Sequence, residues 1–302
     1  MQIIRDEIIK HLPRAGEARR LFHGRGRCFA GYDDLVIDFF PPVVLVILYR
    51  QRPKEWLDAL TQLLLATLPD QPQAILLQER FLLAGPSRLL QGVLPENLEA
   101  REAGLSFRLR LGEARNIGFF PDMKIGRSFV RDNAKGKNVL NLFSYTCPFS
   151  VAAIAGGARA VVNVDMAKGA LATGRDNHRF NELDIRGCRF MPYNILKSWS
   201  RIKKAGPYDL IIIDPPSFQR GSFAATSDYE KIIKRLDQLA TENCTVLSAL
   251  NAPELDTAFI KDLFSENAPD FTYVKRLENL ESFPSDDEER SLKNLIFQKG
   301  EV

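Results

Sequence analysis

The sequence predicts an α/β fold: a doubly wound, mostly parallel sheet preceded by a smaller N-terminal α/β domain. Three observations lead there. The aliphatic run Leu210-Ile211-Ile212-Ile213 lies between Asp209 and Asp214 and ends in Pro215-Pro216, as expected of a strand buried on both faces of a helix-covered sheet. From about residue 129, strand, turn and helix patterns alternate, the rhythm of βαβ units. Before that point the chain mixes short strands, one amphipathic helix and a hairpin. The predicted domains are residues 1–128, a substrate-positioning module that includes the hairpin, and residues 129–302, which build the large sheet.

Taken in order, residues 1–20 are charged and helix-compatible, and Gly24-Arg25-Gly26-Arg27 marks a loop. Leu35 to Phe39 and Val43 to Tyr49 read as strands joined at Pro41-Pro42. Pro53 to Leu68 carries Trp56, Leu57, Leu60, Leu63 and Leu64 at helical spacing, and Ala74 to Leu77 is a further strand. Within Glu102 to Leu111, Leu105, Phe107 and Leu109 alternate with Ser106, Arg108 and Arg110, the pattern of a hairpin arm. Strands follow at Asn138–Phe143, Ala160–Asp165, Cys188–Pro192, Leu210–Asp214, Thr245–Leu250, Phe271–Leu277 and Leu292–Gln298. Only the polar loop Glu281 to Glu289 separates the last two. It is too poor in helix formers for a parallel crossover, so the final strand is predicted to be antiparallel. Seven strands with a reversed last one match the Rossmann-like architecture of class I methyltransferases.

At 302 residues and 45% hydrophobic, the chain can bury a large core. A net charge of +3 neither signals nor excludes nucleic-acid binding. Cys28, Cys147, Cys188 and Cys244 are scattered without a CxxC pair, which suggests neither a zinc site nor a disulfide framework. The amino terminus has no apolar signal core, and the run Phe39 to Tyr49 is too short to span a bilayer. A soluble, cytoplasmic protein without a membrane partner is expected.

The chemistry concentrates at predicted strand ends. Asp214-Pro215-Pro216-Ser217-Phe218 leaves the sheet as a stiff turn, at the edge where open α/β sheets bind ligands. It delivers a carboxylate, a hydroxyl and an aromatic ring. The first βα turn, Phe143-Ser144-Tyr145-Thr146-Cys147-Pro148, contains no glycine. Pyrophosphate-binding turns need glycine for close backbone approach, so NAD and FAD are disfavoured. Thr146 is a candidate helix cap, with Pro148 in the first turn. Asp165, about twenty residues further on, stands where a carboxylate accepts two ribose hydroxyls, or where it caps the next helix. Asn194 suits either an adenine edge or an N-cap. His23 and His178 are too isolated for a metal or general-base site, and no metal is expected.

Asn141-Leu142-Phe143-Ser144-Tyr145-Thr146, Val164-Asp165-Met166, Arg175-x-Asn177, Asp214-Pro215-Pro216-Ser217-Phe218 and Glu289-Arg290-Ser291-Leu292-Lys293 occur in this order. Together they resemble the S-adenosylmethionine-dependent methyltransferases that make 5-methylcytosine and 7-methylguanine in bacterial 23S rRNA. Asn116-Ile117-Gly118-Phe119-Phe120-Pro121-Asp122-Met123 resembles that family's TGxFxDQR element. The resemblance covers about residues 85–298 and is weaker over 1–84, where no small RNA-binding barrel is evident. It implies S-adenosylmethionine as cofactor and large-subunit rRNA as partner. It further implies that Phe120 and Asp122 shelter the methionine end and that Phe143, Ser144 and Tyr145 lie along the cofactor. Asp165 with Met166 would hold the ribose, and Asn194 with Ile195 would face the adenine. Asp214, Pro215, Pro216, Ser217 and Phe218 would line the junction with substrate. The chain departs from the family pattern in three places: Cys147-Pro148 replaces a glycine pair, Met123 a Gln, and Asn194 an Asp.

A 5-methylcytosine enzyme needs a thiolate to add to C6, which in the resembling enzymes lies just past the fifth strand. Val246 to Glu254 has no Cys, Cys244 starts the predicted strand, and Cys147 reads as a packed residue. N-methylation, as at guanine N7, is therefore favoured, with Phe218 available to stack on an extruded base. Arg25, Arg27, Arg220, Lys231, Lys234 and Arg235 are candidate RNA contacts. Gln219 to Phe223 is a candidate flexible nucleic-acid loop. Lys231, Lys234 and Arg235 equally suit a solvated helix face. The competing readings are a methyltransferase acting on a protein or small molecule, and a non-catalytic RNA-binding protein with this fold. The oligomeric state is left open.

Overall fold

The computed structural model describes residues 1–12, 16–113, 115–216, 218–219 and 223–300. The chain falls into two units, Met1–Asp122 with Leu280–Asp286, and Met123–Asn279 with Asp287–Val302.

In the first unit, helices α1 (Gln2–Lys10) and α2 (Lys54–Thr67) accompany a five-stranded sheet of order β1-β2-β3-β4-β5. Its strands are Arg19–His23, Leu35–Phe40, Val43–Leu48, Ala74–Glu79 and Ser87–Gly92. β2 and β3 pair antiparallel across Pro41-Pro42, and α2 carries the chain to β4, which is parallel to β3. Ile4 and Ile8 of α1 and Leu57, Leu60 and Leu64 of α2 share a core with Ile37, Val44, Val46, Ile75 and Leu77. A separate hairpin, β6 (Glu99–Glu102) and β7 (Leu105–Arg108), turns on Ala103 and Gly104, both left-handed, as a two-residue primed turn requires.

Helix-compatible character does not persist over residues 1–20: α1 stops at Lys10 and β1 opens at Arg19. Tertiary contacts decide this, because the Arg20 guanidinium donates to Asp38 Oδ1 and to His23 Nδ1, each at 2.5 Å. It also lies 4.4 Å from the Phe283 ring centroid. Burial, then the Arg20 and Arg25 cations, push the His23 pKa down to about 2. The Gly24–Gly26 turn needs its glycines for close approach: a Cβ on Gly26 would sit 1.7 Å from the Pro284 carbonyl oxygen.

The second unit runs α3 (Lys124–Asn133), β8 (Asn138–Leu142), α4 (Pro148–Ala155), β9 (Ala160–Val164), α5 (Lys168–Phe180), β10 (Cys188–Met191) and α6 (Trp199–Ala205). It continues with β11 (Tyr208–Ile213), the short pair β12 (Phe218–Gln219) and β13 (Phe223–Ala224), α7 (Ala225–Ile233) and α8 (Leu236–Leu239). β14 (Ala240–Leu250), α9 (Thr257–Asn267), β15 (Phe271–Leu277) and β16 (Lys293–Lys299) complete it. The seven-stranded sheet has the order β10-β9-β8-β11-β14-β16-β15, with β16 antiparallel to both neighbours. This is the expected doubly wound fold with its reversed last strand.

β11 shows why the sheet is double-sided. Ile211 and Ile213 pack with Ile202 of α6, Tyr229 and Ile233 of α7, and Phe264 of α9. Leu210 and Ile212 pack with Val130 of α3 and with Phe149 and Ala153 of α4 on the other face. Burying each such side chain contributes about 1.5–3 kcal/mol.

A polar chain crosses this apolar interior. Asn141 Nδ2 donates to Asn163 Oδ1 at 3.0 Å, and Asn163 Nδ2 donates to Ser150 Oγ at 3.0 Å. Ser150 Oγ lies 2.9 Å from His178 Nε2, and His178 Nδ1 lies 2.7 Å from the Gly174 carbonyl oxygen. That carbonyl only accepts, so Nδ1 carries the proton and Nε2 accepts from Ser150. Burial holds the His178 pKa below its ordinary value. Among the described residues, no helix is long and apolar enough to cross a membrane.

A depressed folded-state pKa means that the stability from neutral His178 is fully present above the unfolded value near 6.5. It is lost as pH falls toward the folded value, by up to about 1.4 kcal/mol per pH unit. Urea unfolding at pH 7.5 and 5.5 should show the loss, and His178→Gln should flatten the dependence by about one proton. An unchanged slope in the variant would contradict a neutral buried His178.

Candidate active site

Strand order reverses at β8, which lies between β9 and β11. Such a switch point leaves a crevice outside the carboxyl ends of the strands. The turns after β8, β9, β10 and β11 carry the predicted residues Phe143, Ser144 and Tyr145, then Asp165 and Met166, Asn194 and Ile195, and Asp214, Pro215 and Pro216. Their shared edge follows from the parallel pairing of these four strands.

The turn after β8 is held in an unusual conformation. Phe143, Tyr145 and Cys147 all have left-handed backbones, with φ of 57°, 47° and 61°. The Ser144 amide donates to the Val164 carbonyl at 3.2 Å, and the Tyr145 amide donates to Asp165 Oδ2 at 2.8 Å. The other carboxylate oxygen, Oδ1, accepts from the Ala167 amide at 2.8 Å. Asp165 therefore ties the first turn to the start of α5 through backbone bonds. It does not itself occupy the N-cap position of α5, which falls at Ala167.

Thr146 is not the cap of α4. The N-cap position is Cys147, whose side chain makes no capping bond, and Pro148 occupies the first turn as expected. Asn177 Nδ2 donates to the Thr146 carbonyl at 2.9 Å. Gly174 on α5 makes room for the cysteine, since a Cβ there would lie 2.4 Å from Cys147 Sγ. The Cys147 thiol is fully buried, and burial pushes its pKa far up.

For Asn194 the structure bears on the N-cap reading. It stands at the start of a short 3-10 turn, Ile195–Lys197, yet makes no side-chain capping bond. Its Oδ1 is buried without a partner, as is Ser144 Oγ. Two unpartnered oxygens, at the ends of β8 and β10 on either side of β9, are what a nucleoside-bearing ligand with N–H and O–H donors satisfies. These residues fit S-adenosylmethionine. Ile195 is buried and Met166 is 51% exposed.

On the β11 side, Asp214 and Pro216 are half-buried and Pro215 is buried. Ser217 and Arg220 lie outside the described residues. The stretch Gln219 to Phe223, expected as a flexible loop, begins and ends in a ladder that pairs Phe218 with Ala224 and Gln219 with Phe223. Phe120, 41% exposed, and Asp122, in the 3-10 turn Pro121–Met123, belong to the first unit. Met123 is buried in the core of the second.

Sequence reading missed two supports of this edge. The fully buried Tyr229 hydroxyl lies 2.7 Å from Ser248 Oγ and donates to the Ala249 carbonyl at 2.8 Å, binding α7 to β14. Its apolar spacing with Ile232, Ile233 and Leu236 reads as plain core. Lys293, also fully buried, donates to the carbonyls of Glu289 at 2.6 Å, Ser291 at 2.9 Å and Ala252 at 3.4 Å. It thereby ties the segment after β14 to the start of β16. Burial, then Arg276, lowers its pKa.

Of the candidate RNA contacts, Lys231 pairs with Asp228 at 2.7 Å and Lys234 pairs with Glu230, as on a solvated helix face. Arg25 lies over the Tyr49 ring at 4.5 Å, while Arg27 is exposed.

The strand order and this carboxyl edge define a class I methyltransferase. Residues 19–298 match the S-adenosylmethionine-dependent methyltransferase family, and the chain belongs to it. It is 30% identical to Bacillus subtilis YwbD, named as a ribosomal RNA large subunit methyltransferase, across 93% of this chain and 74% of YwbD. It is 34% identical to ribosomal RNA large subunit methyltransferase K/L of Pseudoalteromonas translucida, across 50% of this chain but only 22% of that protein. The crystal structure of a methyltransferase complexed with SAH superposes with a TM-score of 0.85 at 28% identity, covering 95% of this chain and 76% of that one. The protein is a methyltransferase and S-adenosylmethionine is its cofactor.

Tyr229→Phe removes the acceptor for Ser248 and the donor to Ala249. Urea unfolding should show a loss of about 1–3 kcal/mol, with turnover reduced as the β11–β14 edge loosens. Wild-type stability in the variant would contradict the support role.

Proposed function

We propose that this methyltransferase modifies a base nitrogen, such as guanine N7, in large-subunit ribosomal RNA. The observation that carries the choice of nitrogen is the position of the thiols. Cys244 lies six residues before the end of β14 and is fully buried, and burial raises its pKa to about 12. Cys147 is buried and likewise raised. Neither supplies the thiolate that pyrimidine C5 chemistry needs. The RNA assignment draws on the names of YwbD and the K/L relative.

In this reading Ser144 Oγ and Asn194 Oδ1 engage the cofactor through their unpartnered oxygens, Asn194 at the adenine amino group. Asp165 uses lone pairs left free by its two backbone bonds to accept from the ribose diol. Phe143 and Tyr145 line the cofactor, with Met166 and Ile195 flanking it. S-adenosylmethionine supplies an electrophilic methyl group, so a ring nitrogen with an in-plane lone pair needs alignment more than deprotonation. Asp214 with Pro215 and Pro216 forms the rigid wall that orients the base. On an exocyclic amine, the Asp214 carboxylate would accept the amine proton.

Asn194→Ala removes an oxygen that has no protein partner, so its unfolding midpoint should match wild type. Calorimetry should show S-adenosylmethionine affinity reduced about two- to tenfold. Unchanged affinity would remove Asn194 from the site. For the target, the protein is incubated with labelled cofactor and either ribosomal subunits or naked rRNA, and the nucleosides are resolved by mass spectrometry. Methyl on a purine nitrogen is expected. A 5-methylcytosine product refutes the choice of atom, and label confined to protein refutes the RNA assignment.

A further inference from the structure

We propose that a basic groove on the helical layer of the second unit, between α6 and the α7–α8 junction, docks the phosphodiester backbone of RNA away from the target nucleotide. This rests on the reading that the substrate is RNA. The groove has a volume of about 320 Å³, and Lys197, Trp199, Ser200, Lys203, Arg235 and Gln238 contribute to its wall. Trp199 and Lys203 lie one helical turn apart on α6, and Lys197 precedes them. Arg235 occupies the N-cap position of α8 and makes no capping bond.

Charge is what singles out this cavity. Lys197, Lys203 and Arg235 are exposed, no carboxylate residue lines the cavity, and none of the three has an ion-pair partner among the described residues. The other charges of α7 and α8 are matched: Lys231 with Asp228, Lys234 with Glu230, and Asp237 with Lys299 at 3.3 Å. Three uncompensated cations in one concavity repel each other, and the concavity focuses their field on an anion. Ser200 and Gln238 add neutral donors. Trp199, half-buried against the core, offers an aromatic wall for a ribose or an unpaired base. A cation cluster with an aromatic wall and no acid suits a nucleic-acid strand, whose backbone repeats the phosphate while its bases stack. The groove follows Asn194 and Ile195 directly along the chain, so a strand held there would be anchored close in sequence to the cofactor edge.

The test uses the full chain, wild type and Lys197→Gln/Lys203→Gln/Arg235→Gln, with a large-subunit rRNA transcript titrated at several salt concentrations. The variant should bind the transcript at least tenfold more weakly, with the slope of log affinity against log salt reduced by about two. KM for RNA in methyl transfer should rise, while kcat, S-adenosylmethionine affinity and unfolding midpoint stay at wild-type values. Lys197→Arg/Lys203→Arg should retain binding. If wild type binds and methylates RNA but the triple variant keeps its affinity and salt slope, the groove is refuted and the RNA reading stands. If wild type places label only in protein, both fall. Groove-dependent binding to anionic lipid vesicles with no effect on RNA would also overturn the proposal.

Discussion

The carboxylate of Asp165 holds this catalytic edge together. One oxygen receives the Tyr145 amide and the other the Ala167 amide, so a single side chain fixes the turn after β8 against the turn after β9. The clamp is needed because the first turn has no glycine. Phe143, Tyr145 and Cys147 adopt left-handed backbones, at a cost of roughly 1–2 kcal/mol each. Such conformations persist only where the surroundings over-determine them. Here the surroundings are Asp165, the Val164 carbonyl, Asn177 on the Thr146 carbonyl, and the space that Gly174 leaves for Cys147.

The rest of the site reads as reinforcement of that edge. The Asn141–Asn163–Ser150–His178 chain braces β8, β9, α4 and α5 beneath the turn. Tyr229 fixes β14 to α7 beside the Asp214 turn, and Lys293 pins the backbone after β14. Ser144 Oγ and Asn194 Oδ1, at the ends of β8 and β10, are buried without a partner, as is Asn141 Oδ1 within the brace itself. In the proposed reading the cofactor supplies partners for the two atoms at the strand ends.

Hydrophobic pattern made the large sheet legible. The run at β11, the acidic residue ending β9 and the helix-poor loop before β16 each reflect burial or backbone geometry acting locally, and β15 falls on its predicted residues, Phe271–Leu277. β1 was not legible, because its strand character depends on Arg20 reaching Asp38, a contact between residues far apart in sequence. Nor was the cap of α4: Thr146 has the better capping chemistry, but the left-handed Cys147 takes the position. At Asn194 the residue type allowed two roles, and the missing side-chain capping bond speaks only to the N-cap. Tyr229 and Lys293 stayed hidden because their roles depend on what folds around them.

Amide hydrogen exchange at Tyr145, measured by NMR on the cofactor-free protein, tests the clamp most directly. The bond to Asp165 predicts a strongly protected amide in wild type and markedly faster exchange at Tyr145 in Asp165→Ala, with the core amides of β11 still protected. Fast exchange at Tyr145 in the wild type, or protection unchanged by the substitution, would contradict it.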